Sequence, residues 1–140
     1  MKKHSLKGNA AVGQSGGCTA VINQSLAGVV ETARSSSKIK RIFGLRNGIE
    51  GLMNGSFIDL KKSSSKQIRA IGNAPSAALG SSRYKLRPED EPRIIENLRK
   101  HNIRFVFLIG GNDTANTSLQ IAKAAEKEHY DLRVVHIPKT

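Results

Sequence analysis

Ile103-Arg104-Phe105-Val106-Phe107-Leu108-Ile109-Gly110-Gly111-Asn112-Asp113-Thr114 is the stretch that decides the fold. Its first seven residues hold no turn former and are rich in β-branched and aromatic types. They predict a strand covered on both faces, as in the parallel sheet of an α/β domain. The strand runs straight into a double glycine and then a helix. Glycines remove the Cβ atoms that would keep a phosphate from the main chain, and the helix offers unpaired N–H groups and the positive end of its dipole. A tight strand-to-helix turn without a ligand is the alternative reading of Gly110-Gly111.

The arrangement occurs twice. Ala10-Ala11-Val12-Gly13 leads through Gln14 into Ser15-Gly16-Gly17, after which Thr19, Ala20, Val21, Ile22, Leu26, Val29 and Val30 fall at helical spacing. Both junctions are expected at the carboxyl ends of parallel strands, where open α/β sheets bind ligands beside a switch point. Neither matches Gly-x-x-x-x-Gly-Lys-Ser/Thr or Gly-x-Gly-x-x-Gly, so a Walker loop and a dinucleotide fingerprint are unsupported. Leu79-Gly80-Ser81-Ser82-Arg83 is a third anion candidate, because a guanidinium beside small residues can take two phosphate oxygens at once. An ordinary Gly/Ser surface loop is its alternative.

The remaining pattern is β/α with short connections. Strands are predicted at Ile39 to Phe43, Phe57 to Leu60 and Arg133 to Ile137, and helices at Lys66 to Ile71, Glu89 to His101 and Asp113 to Glu128. Pro88 and Glu89-Asp90-Glu91 start the second of these helices, with Ile94, Ile95 and Leu98 on one face. Ser35-Ser36-Ser37 and Ser63-Ser64-Ser65 read as loops, and neither a repeat nor a domain linker is visible. The expectation is one α/β domain with a Rossmann-like, mostly parallel sheet flanked by helices.

A chain of 140 residues with 38% hydrophobic content can bury a modest core. One cysteine and no tryptophan suit a reducing compartment. The basic start Met1-Lys2-Lys3-His4-Ser5 is not followed by an apolar signal region, and no run of eighteen apolar residues occurs, so a soluble cytoplasmic protein without membrane association is expected. The net charge of +12 would allow nonspecific nucleic-acid binding. Its scatter over Lys38 to Arg41, Lys61-Lys62, Arg83 to Arg87 and Arg99-Lys100, without interleaved aromatics, argues against that role. His4, His101, His129 and His136 show no metal-ligand spacing and are expected at the surface or at strand ends.

Taken in order, these segments resemble the phosphofructokinase family, and within it the diphosphate-dependent branch. The resemblance rests on Ser15-Gly16-Gly17 followed by Thr19-Ala20-Val21-Ile22-Asn23, on Gly44-Leu45-Arg46-Asn47-Gly48-Ile49-Glu50-Gly51-Leu52, on Leu79-Gly80-Ser81-Ser82-Arg83-Tyr84-Lys85-Leu86, on Gly110-Gly111-Asn112-Asp113 and on Pro138-Lys139-Thr140. It implies that residues 1–140 form the N-terminal, phosphoryl-donor domain of such an enzyme, incomplete. The implied reaction is the glycolytic transfer of phosphate from diphosphate to the 1-hydroxyl of fructose 6-phosphate. Family members continue Ile-Asp-Asn-Asp after Pro-x-Thr, the first aspartate acting as general base and the second helping to hold magnesium. This chain stops at Thr140.

Position by position, the resemblance implies that Gly16, Gly17, Gly110 and Gly111 cradle the donor phosphates. Arg83 and Lys139 would neutralise charge on the transferring group, and Thr140 would contact the sugar. Asn112 and Asp113 would sit beside the donor and its Mg2+. Asp113 stands where ATP-dependent members usually have glycine, so its bulk and charge disfavour a nucleotide, with an N-cap aspartate as the bland alternative. Lys139 replaces a glycine of most ATP-using members, and Arg46 occupies a position that can carry an aromatic facing adenine. Each is otherwise a surface cation.

Three positions depart from the pattern: Cys18 for a usual proline, Asn116 for a common acid, and Asn112 for the aspartate of most ATP-dependent enzymes, where asparagine suits the diphosphate branch but gives weaker metal affinity through an amide carbonyl. Cys18 reads either as a reactive thiol or as an inert small residue. The implied partners are diphosphate and fructose 6-phosphate, with a homo-oligomer for the full-length family member. The alternatives are a noncatalytic phosphate-binding remnant or partner-binding fragment, an ATP-dependent phosphofructokinase, an NAD or lipid kinase-like protein, and a basic nucleic-acid-binding domain. An exposed sheet edge and apolar face beside the last strand would make the isolated chain poorly soluble or prone to associate.

Overall fold

Strands β1 (Gly8–Gln14), β2 (Ile39–Leu45), β3 (Phe57–Asp59), β4 (Ile103–Gly110) and β5 (Arg133–Pro138) form one sheet in the order β3-β2-β1-β4-β5 in the computed structural model. The structure describes residues 6–15, 20–60, 65–72, 79–80, 82 and 84–138. Helices α1 (Ala20–Arg34), α2 (Ile49–Asn54), α3 (Ser65–Gly72), α4 (Glu91–Lys100) and α5 (Asn112–Lys127) lie between the strands, with α3 and α4 both between β3 and β4. Four strands run parallel, and only β3 pairs antiparallel, through Phe43↔Asp59 and Leu45↔Phe57. This is the Rossmann-like, mostly parallel architecture that the sequence predicts.

Apolar side chains along the central strands divide between two layers, as period-2 geometry requires. Ala11, Leu45, Val106 and Leu108 join Leu52 of α2, Ile94, Ile95 and Leu98 of α4 and Ile121 of α5. Val12, Ile42 and Ile109 join Leu26 and Val30 of α1 and Ile68 of α3. The sheet is therefore sandwiched between α2, α4 and α5 on one face and α1 and α3 on the other. β5 is the outermost strand of the sheet, and Val135 on it and Leu119 on α5 are large apolar side chains left exposed.

Four differences from the sequence reading have local causes. β1 begins at Gly8 because Asn9 covers a register irregularity there: its side chain donates to the His101 carbonyl (2.7 Å) and accepts the Arg41 N–H (3.0 Å). β2 continues through Gly44 and Leu45 because Gly44 pairs with Val12 and Leu45 with Phe57. α4 begins at Glu91, after a 3-10 turn over Pro88–Asp90, rather than at Glu89. Pro92 has no N–H to give the Pro88 carbonyl, and Glu91 bonds that carbonyl instead. The short α2 was not predicted, although Ile49, Leu52 and Met53 lie at helical spacing and are buried.

Tyr130 ties the far ends of three elements. It is buried in the core below α5, and its hydroxyl meets the carbonyls of Ile103 (2.5 Å) and Leu98 (3.0 Å). The Arg104 guanidinium lies 4.3 Å from its ring centroid. Burial pushes the Tyr130 phenol above its ordinary pKa, so it remains a donor across the neutral range. Tyr130→Phe, which keeps the ring and removes the one hydroxyl proton shared between these carbonyls, is expected to lower unfolding free energy by about 1–2 kcal/mol in urea titrations, with an unchanged far-ultraviolet spectrum.

Candidate active site

The chain leaves β1 toward α1 on one face of the sheet and leaves the adjacent, parallel β4 toward α5 on the other. Divergent exits from neighbouring strands open a crevice at their carboxyl ends. The two junctions touch there. Ser15 donates its N–H to the Ile109 carbonyl (2.9 Å), and its own carbonyl lies 3.2 Å from where a Cβ on Gly110 would stand.

The double glycine separates into two roles. A side chain at Gly110 would collide with that of Thr114, so packing alone requires glycine. Among the described residues a Cβ at Gly111 would meet nothing within 4 Å, so their packing does not. Gly111 is the N-cap of α5 and has no side chain to cap the helix; the Thr114 N–H donates to the Gly111 carbonyl (3.1 Å), which leaves the N–H groups of Asn112 and Asp113 as the first-turn donors for an anion. This is the geometry in which an anion approaches a helix N-terminus.

Asn112 and Asp113 follow as the first residues of α5, both exposed. Asp113 is thus not the N-cap; its carboxylate lies in the first helical turn, where the dipole favours it. Among the described residues no group of three His, Cys, Asp or Glu side chains could hold a metal ion. The hydroxyls of Thr117 and Ser118 turn inward to carbonyls of their own helix, at Asp113 (3.0 Å) and Thr114 (2.8 Å).

Leu79 and Ser82 of the third anion candidate come to the same place. Leu79 is buried, its N–H donates to Gln14 Oε1 (3.0 Å), and its carbonyl accepts the Asn47 N–H (3.0 Å). Ser15 Oγ donates to the Ser82 carbonyl (3.0 Å), and Ser82 Oγ accepts the Tyr84 N–H (3.0 Å). Gly48 closes the floor with φ 58°; a Cβ there would stand 2.7 Å from the Gln14 carbonyl. A cavity of about 20 Å³, lined by Gln14, Ser15, Gly48, Tyr84, Thr114 and Thr117 among others, lies between these segments. Such a volume holds about one water molecule.

Of the predicted site residues, the structure brings Gly110, Gly111, Asn112 and Asp113 together beside Ser15. Gly16, Gly17, Cys18, Arg83, Lys139 and Thr140 lie outside the described residues. Arg46 is exposed where β2 ends. Sequence reasoning gave no role to Gln14 or to the Ser15–Ser82 bond; a polar residue closing an otherwise apolar strand was the available signal for the former. His136, expected at the surface or at a strand end, instead lies half-buried within β5, and its Nε2 is 2.8 Å from the Gly110 carbonyl.

Tyr84 also connects the site to α4. Its hydroxyl donates to Asp90 Oδ2 (2.7 Å), which accepts the Arg87 N–H as well (2.9 Å). The Arg87 N–H, then the Tyr84 hydroxyl, hold the buried Asp90 carboxyl below its ordinary pKa. The folded chain therefore takes up this proton less readily than the unfolded chain. Asp90 contributes its full stability at neutral pH and loses it as pH falls from about 4 toward the lower folded value. Urea midpoints measured from pH 7 to pH 3 should show a shallower acid decline for Asp90→Asn, which starts from a lower stability at pH 7.

A family model described as Phosphofructokinase matches residues 9–140. The pyrophosphate–fructose 6-phosphate 1-phosphotransferase of Methylococcus capsulatus is 45% identical over 138 residues, covering 94% of this chain and 33% of that protein. The like-named protein of Halomonas elongata is 41% identical, again covering 94% of this chain and 33% of the relative. The crystal structure of pyrophosphate-dependent phosphofructokinase from Nitrosospira multiformis superposes with a TM-score of 0.90 at 44% identity, covering 94% of this chain and 33% of that one. The chain spans about a third of the length of the curated relatives it matches.

Proposed function

Because this chain belongs to the phosphofructokinase family, we propose that it supplies the donor half of a diphosphate-dependent transfer to the 1-hydroxyl of fructose 6-phosphate. The convergence of Ser15, Gly110 and Ser82 carries the reading. Segments far apart in sequence meet at one crevice, and each was a phosphate candidate independently.

In this reading the donor diphosphate lies across the start of α5. Backbone N–H groups at Gly111 and beyond, with those of Gly16 and Gly17, bind its oxygens. Arg83 and Lys139 balance the charge that spreads over the equatorial oxygens as the phosphoryl group leaves one phosphate for the sugar oxygen. Phosphoryl transfer asks the protein mainly for positioning and electrostatic stabilisation, which fixed N–H groups and cations supply. Thr140 contacts the sugar. Asp113 crowds and repels a longer nucleotide chain, which favours the compact donor.

One carboxylate at Asp113 and one amide oxygen at Asn112 are too few to cage a metal but fit Mg2+, which keeps several waters and shares itself with substrate phosphates. When bound, the ion would neutralise donor charge. Among the described residues no helix is long and apolar enough to cross a membrane. We assign the protein to the cytoplasm and the family's homo-oligomer to the longer enzyme.

Titration calorimetry in Mg2+ buffer tests the reading. Saturable diphosphate binding, tighter than ATP by about tenfold or more, is expected, because the nucleotide must overcome the Asp113 carboxylate. Gly111→Ala should weaken diphosphate by about tenfold while lowering stability by less than about 1 kcal/mol, since no described residue would meet its Cβ. Equal affinity for ATP, or no saturable binding, would contradict the assignment.

A further inference from the structure

We infer that Gln14 is a positioning residue, whose buried side-chain amide straps the loop beginning at Leu79 and helix α1 to the end of β1 and thereby holds the donor crevice in shape. Gln14 and Asn23 are both 0% exposed. The Leu79 N–H points at the Gln14 amide, so the atom facing it must be the acceptor Oε1. That leaves Nε2 to donate to Asn23 Oδ1 at 2.8 Å. One side chain thus joins residues 9 and 65 positions away.

The described apolar neighbours of the two amides do not call for polar groups. Val12, Leu26 and Leu79 nearby belong to the apolar layer, where an unbranched apolar side chain would be buried without needing partners. An amide does what such a side chain cannot: it fixes the direction of a peptide. With Gln14 on its N–H and Asn47 on its carbonyl, Leu79 is held from both sides. The next residue of β1's exit, Ser15, then takes the Ser82 carbonyl. The last residue of β1 and the one after it therefore pin the loop at two points, at Leu79 and Ser82.

The functional consequence rests on the diphosphate reading above, whereas the strap itself does not. Gln14→Met removes both bonds at nearly constant volume. Amide exchange at Leu79 is expected to rise about tenfold or more relative to Val12, and diphosphate affinity to fall by about tenfold. The double variant Gln14→Met/Asn23→Leu replaces the amide pair by apolar groups, so thermal stability should recover in part while Leu79 exchange stays fast and binding stays weak. Unchanged relative exchange at Leu79 in Gln14→Met overturns the strap. Affinity that returns along with stability in the double variant overturns the positioning role and leaves Gln14 as core packing. A wild-type chain that binds no diphosphate counts against the proposed function, and the Leu79 exchange then decides the strap by itself.

Discussion

The parallel pairing of β1 with β4 is carried one residue past β1 by the hydrogen bond from the Ser15 N–H to the Ile109 carbonyl, and the crevice depends on that bond. It holds the chain extended until both strands have ended, so that α1 and α5 leave on opposite faces from touching points. Were the strands to end out of step, one helix start would be buried beneath the other strand. Gly110 belongs to the same constraint, because the Ser15 carbonyl and the Thr114 side chain leave no room for a Cβ there. The apolar layers on both faces fix the strands, and the strands in turn fix the junctions.

Around this contact the molecule uses polar groups sparingly and in fixed directions. Gln14, Asn23, Ser82 and Ser118 are buried polar side chains, and their hydrogen bonds hold the loop at Leu79 or tie Ser118 to the Thr114 carbonyl in the first turns of α5. A buried polar group with its partners in place gives one geometry and resists others. At Gly111, by contrast, no described residue would meet a Cβ. Rigid surroundings and one unfilled position are what an electrostatic site requires, since donors that need no rearrangement act at full strength on a developing charge.

How legible this was depended on whether the physics was local. The strand from Ile103 to Gly110 was readable because a run of apolar residues covered on both faces leaves no competing pattern. The junction at Gly110-Gly111 was readable as a strand-to-helix turn because an apolar run ends there and a helical pattern begins. The start of α4 was misjudged by two residues because acidic residues after Pro88 signal a helix, while the missing N–H of Pro92 acts one turn later. α2 escaped notice because six residues give too short a period, with Gly51 in the middle as a misleading breaker. Gln14 could not be interpreted at all: its partners lie in a helix and in a distant loop, and only the folded chain puts them on one side chain. The same holds for Ser15 and Ser82. The split between Gly110 and Gly111 needed coordinates, because it depends on what a side chain would strike.

Amide chemical shifts followed by nuclear magnetic resonance during a diphosphate titration test the central claim most directly, because they report each segment of the crevice separately. If the junctions and the Leu79 loop form one phosphate site, the amides of Ser15, Gly80, Ser82, Gly111, Asn112 and Asp113 will move along a single saturable curve. Shifts spread over Lys38, Lys40, Arg41, Arg99 and Arg104, rising without saturation and disappearing at about 0.15 M salt, would mean that the basic surface alone attracts the anion and would contradict the account.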